Sequence, residues 1–446
     1  MTGMPVRCVG YTESVISCVL QVDNIDSMPA DTIIVPESLS HLSDKEIISN
    51  YYVRGDQLQS RDDIQNVVMI SDYNINCGIA TYTKYLCDEL KLLVSNLVIL
   101  AEDKMENETS TVDDEPYVIR CWKRNCADFS RLYAEVERLN PDLIIIQHEF
   151  GLFHRMDIWN CFLSQLSRWR VAATFHTVLE HRVPDLKAQL DYRTRFMAEV
   201  CCREIIVHTP RARETLRDRG FSGRVHYIPH GCFKPQRLEK LPVTKYDMFS
   251  PFSIFQYGFG GMHKGWDFAI ETVEHLVEKY PDVIYVGIFN VPIFERNDSY
   301  FRKLLDIVKK KGLENNIALH RGFQSEEMLR NFIRSCRVAL FPYQVPNRNW
   351  CSWGASGAIQ MPISLGIPMV LSNFPAFIEF QDRLPIVTTP QEAAAEIDRI
   401  FSEEEYATTL SEMAFTISNE RSWDKIAKCY LAITKDADYD FNVDVP

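Results

Sequence analysis

Histidine, lysine and glycine residues recur just after short apolar runs, at positions where the strands of an α/β protein would end. In the first half of the chain these positions hold Gly78, His148 and His176, and in the second half Lys264 follows a glycine pair. Ligands of open α/β sheets bind beyond the carboxyl ends of the strands. A lysine there can act as a point charge on a phosphate, and glycine lets backbone amides approach an anion. The pattern therefore predicts a phosphate-containing ligand.

The stretch over residues 346–372, PNRNWCSWGASGAIQMPISLGIPMVLS, predicts a loop, a helix and a buried strand in succession. Small residues open the helix, including Ser356, Gly357 and Ala358, and Gly366 is placed to end it. Amides at such a helix start would face a nucleotide diphosphate. The competing interpretation is a helix that needs small residues only to pack on a sheet.

Strand and helix patterns alternate from Asn66 onward, through runs such as NVVMIS, NLVILAED, PDLIIIQHEFG and VAATFHT. The alternation breaks around residues 232–250 and then restarts at FSIFQYGFGG. Alternating βα units predict parallel sheets with helices on both faces. The expected fold class is therefore α/β, with two doubly wound, Rossmann-like domains that face each other across a cleft.

The totals exclude several classes of protein. The chain has 446 residues, a net charge of −13 and 46% hydrophobic residues, which is ordinary for a water-soluble two-domain protein and argues against general attraction to nucleic acid. Thirteen cysteines without a visible signal peptide fit reduced thiols better than a disulfide framework. No apolar run is long enough to span a bilayer. We expect a cytoplasmic protein, with a peripheral position at the inner membrane face left open.

Three familiar ligand motifs are not seen at the expected cleft: a GxGxxG turn, a P-loop and an acidic DxD-type metal site. The turn around Gly78 is not GxGxxG, and GFGGMHKG lacks the spacing and the Ser/Thr of a P-loop, so an ATPase of that type is excluded. Paired aspartates occur only at 62–63 and 113–114, both in expected loops. We therefore expect no essential metal and no cofactor beyond a co-substrate.

Eight segments in a fixed order resemble the family-four retaining glycosyltransferases of the GT-B fold. They are CGIATYTKYL, IIIQHEFGLF, TFHTVLE, IIVHTPRARETL, VHYIPHG, the Lys264–Gly265 turn, SGAIQMPISLGIPMVLS and SWDKIAKCYL. Their order along residues 66–435 carries the resemblance more than any single segment does. It implies a nucleotide-diphosphate sugar, UDP- or GDP-linked, as co-substrate.

The resemblance also implies roles for individual residues. His176, Lys264 and Glu149 are the expected catalytic residues. Acceptor contacts are expected from His148, Glu149 and Ile79. Donor contacts are expected from Gly78, Gly261, Lys264, Gly322, Phe323, Ser356, Gly357 and Ala358.

The sequence departs from the family pattern at two places. Phe259 stands where many relatives have an arginine before the lysine, and Met361 stands where many have a glutamate. Glu379 is a candidate for a later carboxylate. These departures keep a specialised enzyme, or a non-catalytic binding protein, open as alternatives.

The main hypothesis is transfer of a sugar to an acceptor hydroxyl with retention of configuration, to a glycan or glycolipid. A first alternative is transfer to a hydroxymethylated base of bacteriophage DNA, which a basic surface at Arg155, Arg168, Arg170, Arg182 and Arg193 would support. A second is a non-catalytic protein that binds sugar nucleotides or glycans. A sugar phosphorylase is a third.

The expected domain organisation has four parts. An extension of unknown role covers residues 1–60, and an acceptor domain covers 61–236. A donor domain covers 237–420. Residues 421–446 would form a closing helix that packs back on the first domain, followed by a loose acidic tail.

Overall fold

A computed structural model describes residues 5–6, 18–19, 64–104, 113–124, 128–153, 156–179, 204–218, 221, 223–237, 251–290, 299–345, 352–433 and 438–441. In the N-terminal extension, only two short strands fall within these ranges. They are β1 (Pro5–Val6) and β2 (Cys18–Val19), which pair antiparallel. The rest of that extension lies outside the described residues.

The first sheet has seven strands, all parallel, in the order β10-β9-β7-β6-β3-β4-β5. They are β3 (Asn66–Ser71), β4 (Asn96–Glu102), β5 (Val118–Trp122), β6 (Leu143–His148), β7 (Val171–Phe175), β9 (Glu204–Val207) and β10 (Arg224–Tyr227). Along β3, Val68 and Ile70 enter one core and Val67 and Met69 the other. This two-sided burial explains why the strands are continuous apolar runs rather than alternating ones.

Helices cover the first sheet on both faces. They are α1 (Gly78–Leu90), α2 (Ser130–Leu139), α3 (Met156–Gln165) and α4 (Pro210–Asp218). Helix α1 buries Tyr82, Leu86 and Leu90, which repeat every four residues and so form one apolar face.

The second sheet has six parallel strands in the order β13-β12-β11-β14-β16-β17. They are β11 (Ser253–Phe259), β12 (Ile284–Asn290), β13 (Ile317–Arg321), β14 (Val338–Phe341), β16 (Met369–Ser372) and β17 (Ile386–Val387). Counted along the chain, both sheets follow the doubly wound order 3-2-1-4-5-6, and the first adds a seventh strand. The expected α/β fold is confirmed.

Helices of the second half are α5 (Trp266–Leu276), α6 (Ser299–Lys311), α7 (Glu326–Arg334), α8 (Gln360–Ser364), α9 (Pro390–Ser402) and α10 (Glu404–Glu420). The first turn of α9 carries a capping box, in which Thr389 and Glu392 satisfy each other's backbone amides. The helix expected before Gly366 is much shorter than predicted. A 3-10 turn over Gly357–Ile359 precedes the five residues of α8.

The last helix, α11 (Trp423–Ala432), packs against α1 of the first sheet. The chain therefore crosses between the two halves twice, and the crossings run side by side. The amide of Cys232 donates to the Arg421 carbonyl at 2.7 Å, and the amide of Trp423 donates to the Cys232 carbonyl at 2.9 Å. A side chain at Gly231 would overlap the Trp423 ring, with a Cβ only 2.3 Å from it, so glycine permits this close crossing.

A second contact joins the halves at the cleft. Strand β8 (Val178–Leu179), just after β7, pairs antiparallel with β15 (Ser352–Trp353) of the second half. Each half of the molecule therefore contributes one short strand to a separate two-stranded sheet.

Three sequence expectations differ from the structure. Strand β5 and helix α10 were not predicted, because VIRCW follows an acidic loop and EEYATTLSEMAFTISNE has a weak apolar period. The tail expected to be loose packs instead, over residues 438–441. Tyr439 is buried there, and its backbone amide donates to His226 Nδ1 at 3.0 Å.

Candidate active site at the facing strand ends

The loop that carries Lys264 begins where β11 ends, beside β14, at the point where the strand order of the second sheet reverses. Such switch points open a crevice, because the connections on either side lead away in opposite directions. Two bonds hold the loop in the crevice. The amide of Gln344 donates to the His263 carbonyl at 2.8 Å, and Gln256 Nε2 donates to the Lys264 carbonyl at 2.9 Å.

Tyr343 joins Lys264 to Ser356. The Lys264 ammonium lies 3.8 Å from the centroid of the Tyr343 ring, and the Tyr343 hydroxyl lies 2.9 Å from Ser356 Oγ. Within the described ranges, Lys264 forms no ion pair with a carboxylate. The two positions on which the predicted donor site depends are therefore neighbours, and the lysine charge is held by an aromatic face rather than neutralised.

Gly265 makes the close approach of this loop possible. Its φ of +67° lies in the left-handed region, and a Cβ there would stand 1.8 Å from the Pro342 carbonyl oxygen. A larger residue would push α5 away from the end of β14. The lack of space for a side chain thus explains why glycine follows Lys264.

The segment 354–357 of the second half contacts the histidines of the first half. A Cβ on Gly354 would lie 2.4 Å from the His176 carbonyl oxygen, and one on Gly357 would lie 3.2 Å from His230 Nε2. Together with the β8–β15 bridge, these contacts place His176 beside Gly354 and His230 beside Gly357. The structure therefore brings His176 next to the segment that carries Ser356 and Gly357.

Three histidines surround Tyr82 of α1. The ring centroids of His176, His208 and His230 lie 5.0, 5.1 and 4.9 Å from that of Tyr82. His208 Nδ1 lies 2.8 Å from the Ile228 carbonyl and His230 Nδ1 lies 2.9 Å from the Gly231 carbonyl, so both rings carry their proton on Nδ1.

These histidines are neutral. Burial lowers the pKa of His176 well below its ordinary value, and the neighbouring His208 and His230 lower it further. Burial likewise lowers the pKa of His208 to about 4 and that of His230 to about 3. The first half therefore offers the cleft hydrogen-bonding groups without charge. In the described part of the chain, no group of three or more His, Cys, Asp or Glu side chains could hold a metal ion.

The other end of the same sheet edge is charged but internally paired. Arg124, after β5, lies 2.9 Å from Asp72 Oδ2 and 2.6 Å from Glu102 Oε2. Burial raises the pKa of Asp72 to about 7, against the opposing charge of Arg124, and the negative charge of Glu102 raises it further. One arginine shared by two buried carboxyl groups favours a proton on one of them.

The remaining predicted donor residues lie along the strand ends. Gly78 is the first residue of α1, and its φ is not positive, so it needs no left-handed turn. Gly261 adjoins the His263 ring, and Gly322 has a φ of +109°. Phe323 meets Phe259 edge to face at 5.9 Å. Ala358 packs against the second-sheet core.

The predicted acceptor residues are less favourably placed. His148 has no exposed surface and stacks on Phe175 at 4.3 Å, and neither ring nitrogen has a hydrogen-bond partner among the described residues. Its side chain lies in the core behind the cleft, which does not favour a contact with an acceptor. Glu149 Oε1 accepts from the Phe150 amide at 2.9 Å, and Ile79 packs against the first-sheet core.

The two departures from the family pattern have structural counterparts. Met361 is buried in the second core, and Phe259 contacts Phe323. Glu379 is engaged elsewhere, because its Oε2 lies 2.8 Å from the Arg421 guanidinium and accepts from the Tyr227 hydroxyl at 2.9 Å. This buried network joins the two halves, so Glu379 serves the interface between them.

The expected basic surface is not formed by the arginines that the structure describes. Arg168 pairs with Glu137 and stacks on Trp169 at 3.9 Å, and Arg170 pairs with Glu204 at 3.0 Å. Both precede β7 and so lie at the amino edge, away from the cleft. Arg155, Arg182 and Arg193 lie outside the described residues.

Sequence reasoning missed four residues of this site, Gln147, Tyr82, Tyr343 and Tyr430. Tyr343 had a usable signal, since it follows the apolar run VALF, after Pro342, at a strand end. Gln147 precedes His148 in the same segment. Tyr82 and Tyr430 are helix residues, and nothing in their spacing separates them from ordinary core aromatics.

Several solved structures share the architecture of this chain. One is Anabaena Alr3699/HepE in complex with UDP and glucose, at 14% identity and a TM-score of 0.61, covering 83% of this chain and 99% of that one. Another is sucrose-phosphate synthase from Thermosynechococcus elongatus, at 16% identity and a TM-score of 0.63, covering 83% of this chain and 98% of that one. A glycosyltransferase from Rickettsia africae matches at 14% identity and a TM-score of 0.62, covering 84% of this chain and 98% of that one. The chain has the GT-B fold.

Within that class, residues 77–232 match the model of the family described as Glycosyltransferase Family 4. Sequence comparison with curated proteins finds no match. The resemblance seen in the sequence is thus confirmed, in the fold over most of the chain and in the family model over residues 77–232. In the described residues, no helix has the length and apolar character needed to cross a membrane.

Proposed function

We propose that this protein transfers a sugar from a nucleotide-diphosphate sugar to the hydroxyl of a glycan or glycolipid, with retention of configuration. The observation that carries the proposal is the unneutralised Lys264 ammonium, held on the Tyr343 ring beside Ser356 at the switch point of the second sheet. A part-buried cation without a carboxylate partner is suited to an anionic ligand.

The charge distribution fits the task of stabilising a departing diphosphate. Lys264 would face the phosphates, and Phe323 and Gly322 at the end of β13 would flank the base. Neutral His176 opposite them would contact the sugar without repelling the positive charge that develops on it. Anabaena HepE, of the same fold, was solved with UDP and glucose, which supports UDP as the first nucleotide to test, with GDP as the second.

A glycan or glycolipid is the acceptor we favour. The described arginines of the expected basic surface, Arg168 and Arg170, are paired and lie on the far edge of the sheet, which weakens the case for DNA. Retention rests on the Family 4 match of the first domain. We further propose that transfer needs no metal and that the protein works in the cytoplasm, bound at the membrane face when its acceptor is a lipid.

The test measures radiolabel transfer from UDP- and GDP-sugars in the wild type and in Lys264→Met, which keeps the length of the side chain and removes its charge. We expect a loss of about 10²–10³-fold in kcat, the cost of removing one preorganised electrostatic contact. Lys279→Met is the matched control, because Lys279 is exposed and pairs with Asp398. Full transfer by Lys264→Met would refute the site.

A non-catalytic binding protein would behave differently in the same assay. It would gain thermal stability from a nucleotide sugar through Lys264, but it would neither transfer nor hydrolyse the label. The anomeric configuration of the product, read by NMR, tests retention separately.

A further inference from the structure

Gln147, to which the sequence analysis gave no role, contacts the His176 ring from the neighbouring strand. It is the penultimate residue of β6, fully buried, and its register partner on β7 is Thr174. The Gln147 Oε1 atom lies 2.8 Å from His176 Nε2. A buried amide thus meets the imidazole at the one ring nitrogen that faces the core.

The surroundings of Gln147 fix the direction of its amide. Its Nε2 group donates to Met69 Sδ at 3.4 Å, which leaves Oε1 as the atom that faces His176. The Tyr430 hydroxyl, delivered by α11, lies 2.8 Å from Thr174 Oγ1, the register partner of Gln147, and 2.9 Å from the Tyr82 hydroxyl. The amide therefore lies between Met69 on one side and His176 on the other.

We propose that Gln147 is a positioning residue that holds the His176 proton on Nε2, so that the lone pair of Nδ1 is presented to a hydroxyl of the substrate. An amide oxygen only accepts, so the ring nitrogen facing it must donate, and a neutral imidazole then has its lone pair on the other nitrogen. This inference rests on the proposed function for the identity of the substrate, but the tautomer itself does not.

No described charged group opposes this arrangement. The titratable groups around His176 are Tyr82 from α1, His148 at the end of β6, His208 after β9, His230 after β10 and Tyr430 from α11. The other three histidines are themselves neutral, because burial lowers the pKa of each. The imidazole of His176 therefore keeps one tautomer over the working pH range.

The first measurement is the ¹⁵N NMR spectrum of histidine-labelled full-length protein without substrate, with His176 assigned by a His176→Gln variant. We expect the wild type to show a single Nε2–H tautomer at His176. Gln147→Leu should give a mixture of tautomers, while Ile145→Val, a core change two residues earlier on the same strand, should keep the wild-type pattern. An Nδ1–H proton in the wild type, or an unchanged tautomer in Gln147→Leu, would overturn the proposal.

Gln147→Glu keeps the shape of the side chain and so guards against a folding failure in Gln147→Leu. A carboxylate beside Nε2–H favours the imidazolium and raises the pKa of His176. Protonation removes the Nδ1 lone pair, so transfer by this variant should fall as the pH is lowered, whereas that of the wild type should not. Superimposable pH profiles would count against the proposal.

Kinetics separate positioning from simple destabilisation. Gln147→Leu should lower kcat about tenfold, the equivalent of one hydrogen bond in the transition state, with little change in KM for the nucleotide sugar. If the wild type transfers no sugar but shows the expected tautomer, the proposed function fails and the role of Gln147 stands.

Discussion

The two sheets present different chemistry at the edges that face each other. Along the first sheet, Arg124 is shared by the buried carboxyl groups of Asp72 and Glu102, and His208 and His230 are neutral. At the switch point of the second sheet, Lys264 lies on the Tyr343 ring, and no carboxylate in the described part of the chain pairs with it. One half therefore supplies a preorganised surface of neutral groups, and the other half supplies an anion-binding site at Lys264.

The prediction with the largest expected effect concerns a buried ion pair outside the anion-binding site. In Arg421→Met, the buried Glu379 carboxylate loses its partner, and we expect the free energy of unfolding to fall by about 3–5 kcal/mol. Urea denaturation measures it. The double variant Glu379→Met/Arg421→Met should recover most of the loss.

Arg383→Met is the matched control, because that arginine pairs with Glu420 at a third of its surface exposed. We expect a loss of no more than about 1 kcal/mol there. Equal losses in Arg383→Met and Arg421→Met would contradict the distinction between buried and exposed pairs.

The second prediction concerns the proton held near Asp72. Its pKa is raised to about 7 in the folded protein, so the protonated form contributes stability that is complete at low pH and is lost as the pH rises through 7. Asp72→Asn stays neutral. Relative to the wild type, its free energy of unfolding should therefore rise by on the order of 2–4 kcal/mol between pH 4 and 8.

The free energy of unfolding of Asp72→Asn is compared with that of the wild type because the buried histidines change stability with pH in the opposite direction. Their pKa values are lowered, so their contribution is lost as the pH falls, and equally in both proteins. A stability difference that stays constant across this pH range would show that Asp72 is ionised throughout.

The prediction with the smallest expected effect concerns the role of Tyr343 in the anion-binding site. Tyr343→Phe removes the bond to Ser356 but leaves the ring under Lys264, so affinity for a nucleotide sugar should fall by about 1 kcal/mol. Tyr343→Leu loses the ring as well and should bind more weakly still. Isothermal titration gives the order, with Tyr280→Phe, which meets Asp398 at the surface, as control. Equal affinities in both Tyr343 variants would remove the role of the ring.

The sequence predicted the fold because strand and helix periods alternate clearly, and parallel strands buried on both faces are long apolar runs. It predicted the Lys264 and Ser356 positions because glycines mark the turns at strand ends. It could not place the Tyr343 side chain between them, which depends on how two loops separated by many residues pack. Nor could it foresee that His148 turns into the core while His176 reaches the cleft, since both follow apolar strands in the same way.

The paired crossings at Cys232 and Ser422 have a mechanical consequence. Two strands of chain bonded to each other, with Gly231 pressed on Trp423, resist sliding and shearing but still permit bending about their shared line. The two-residue β8–β15 bridge, far from that line in the sequence, is the weaker attachment. Opening the cleft for the exchange of substrate and product therefore requires the β8–β15 pairs to separate, while the crossings and the Glu379–Arg421 pair keep the halves joined.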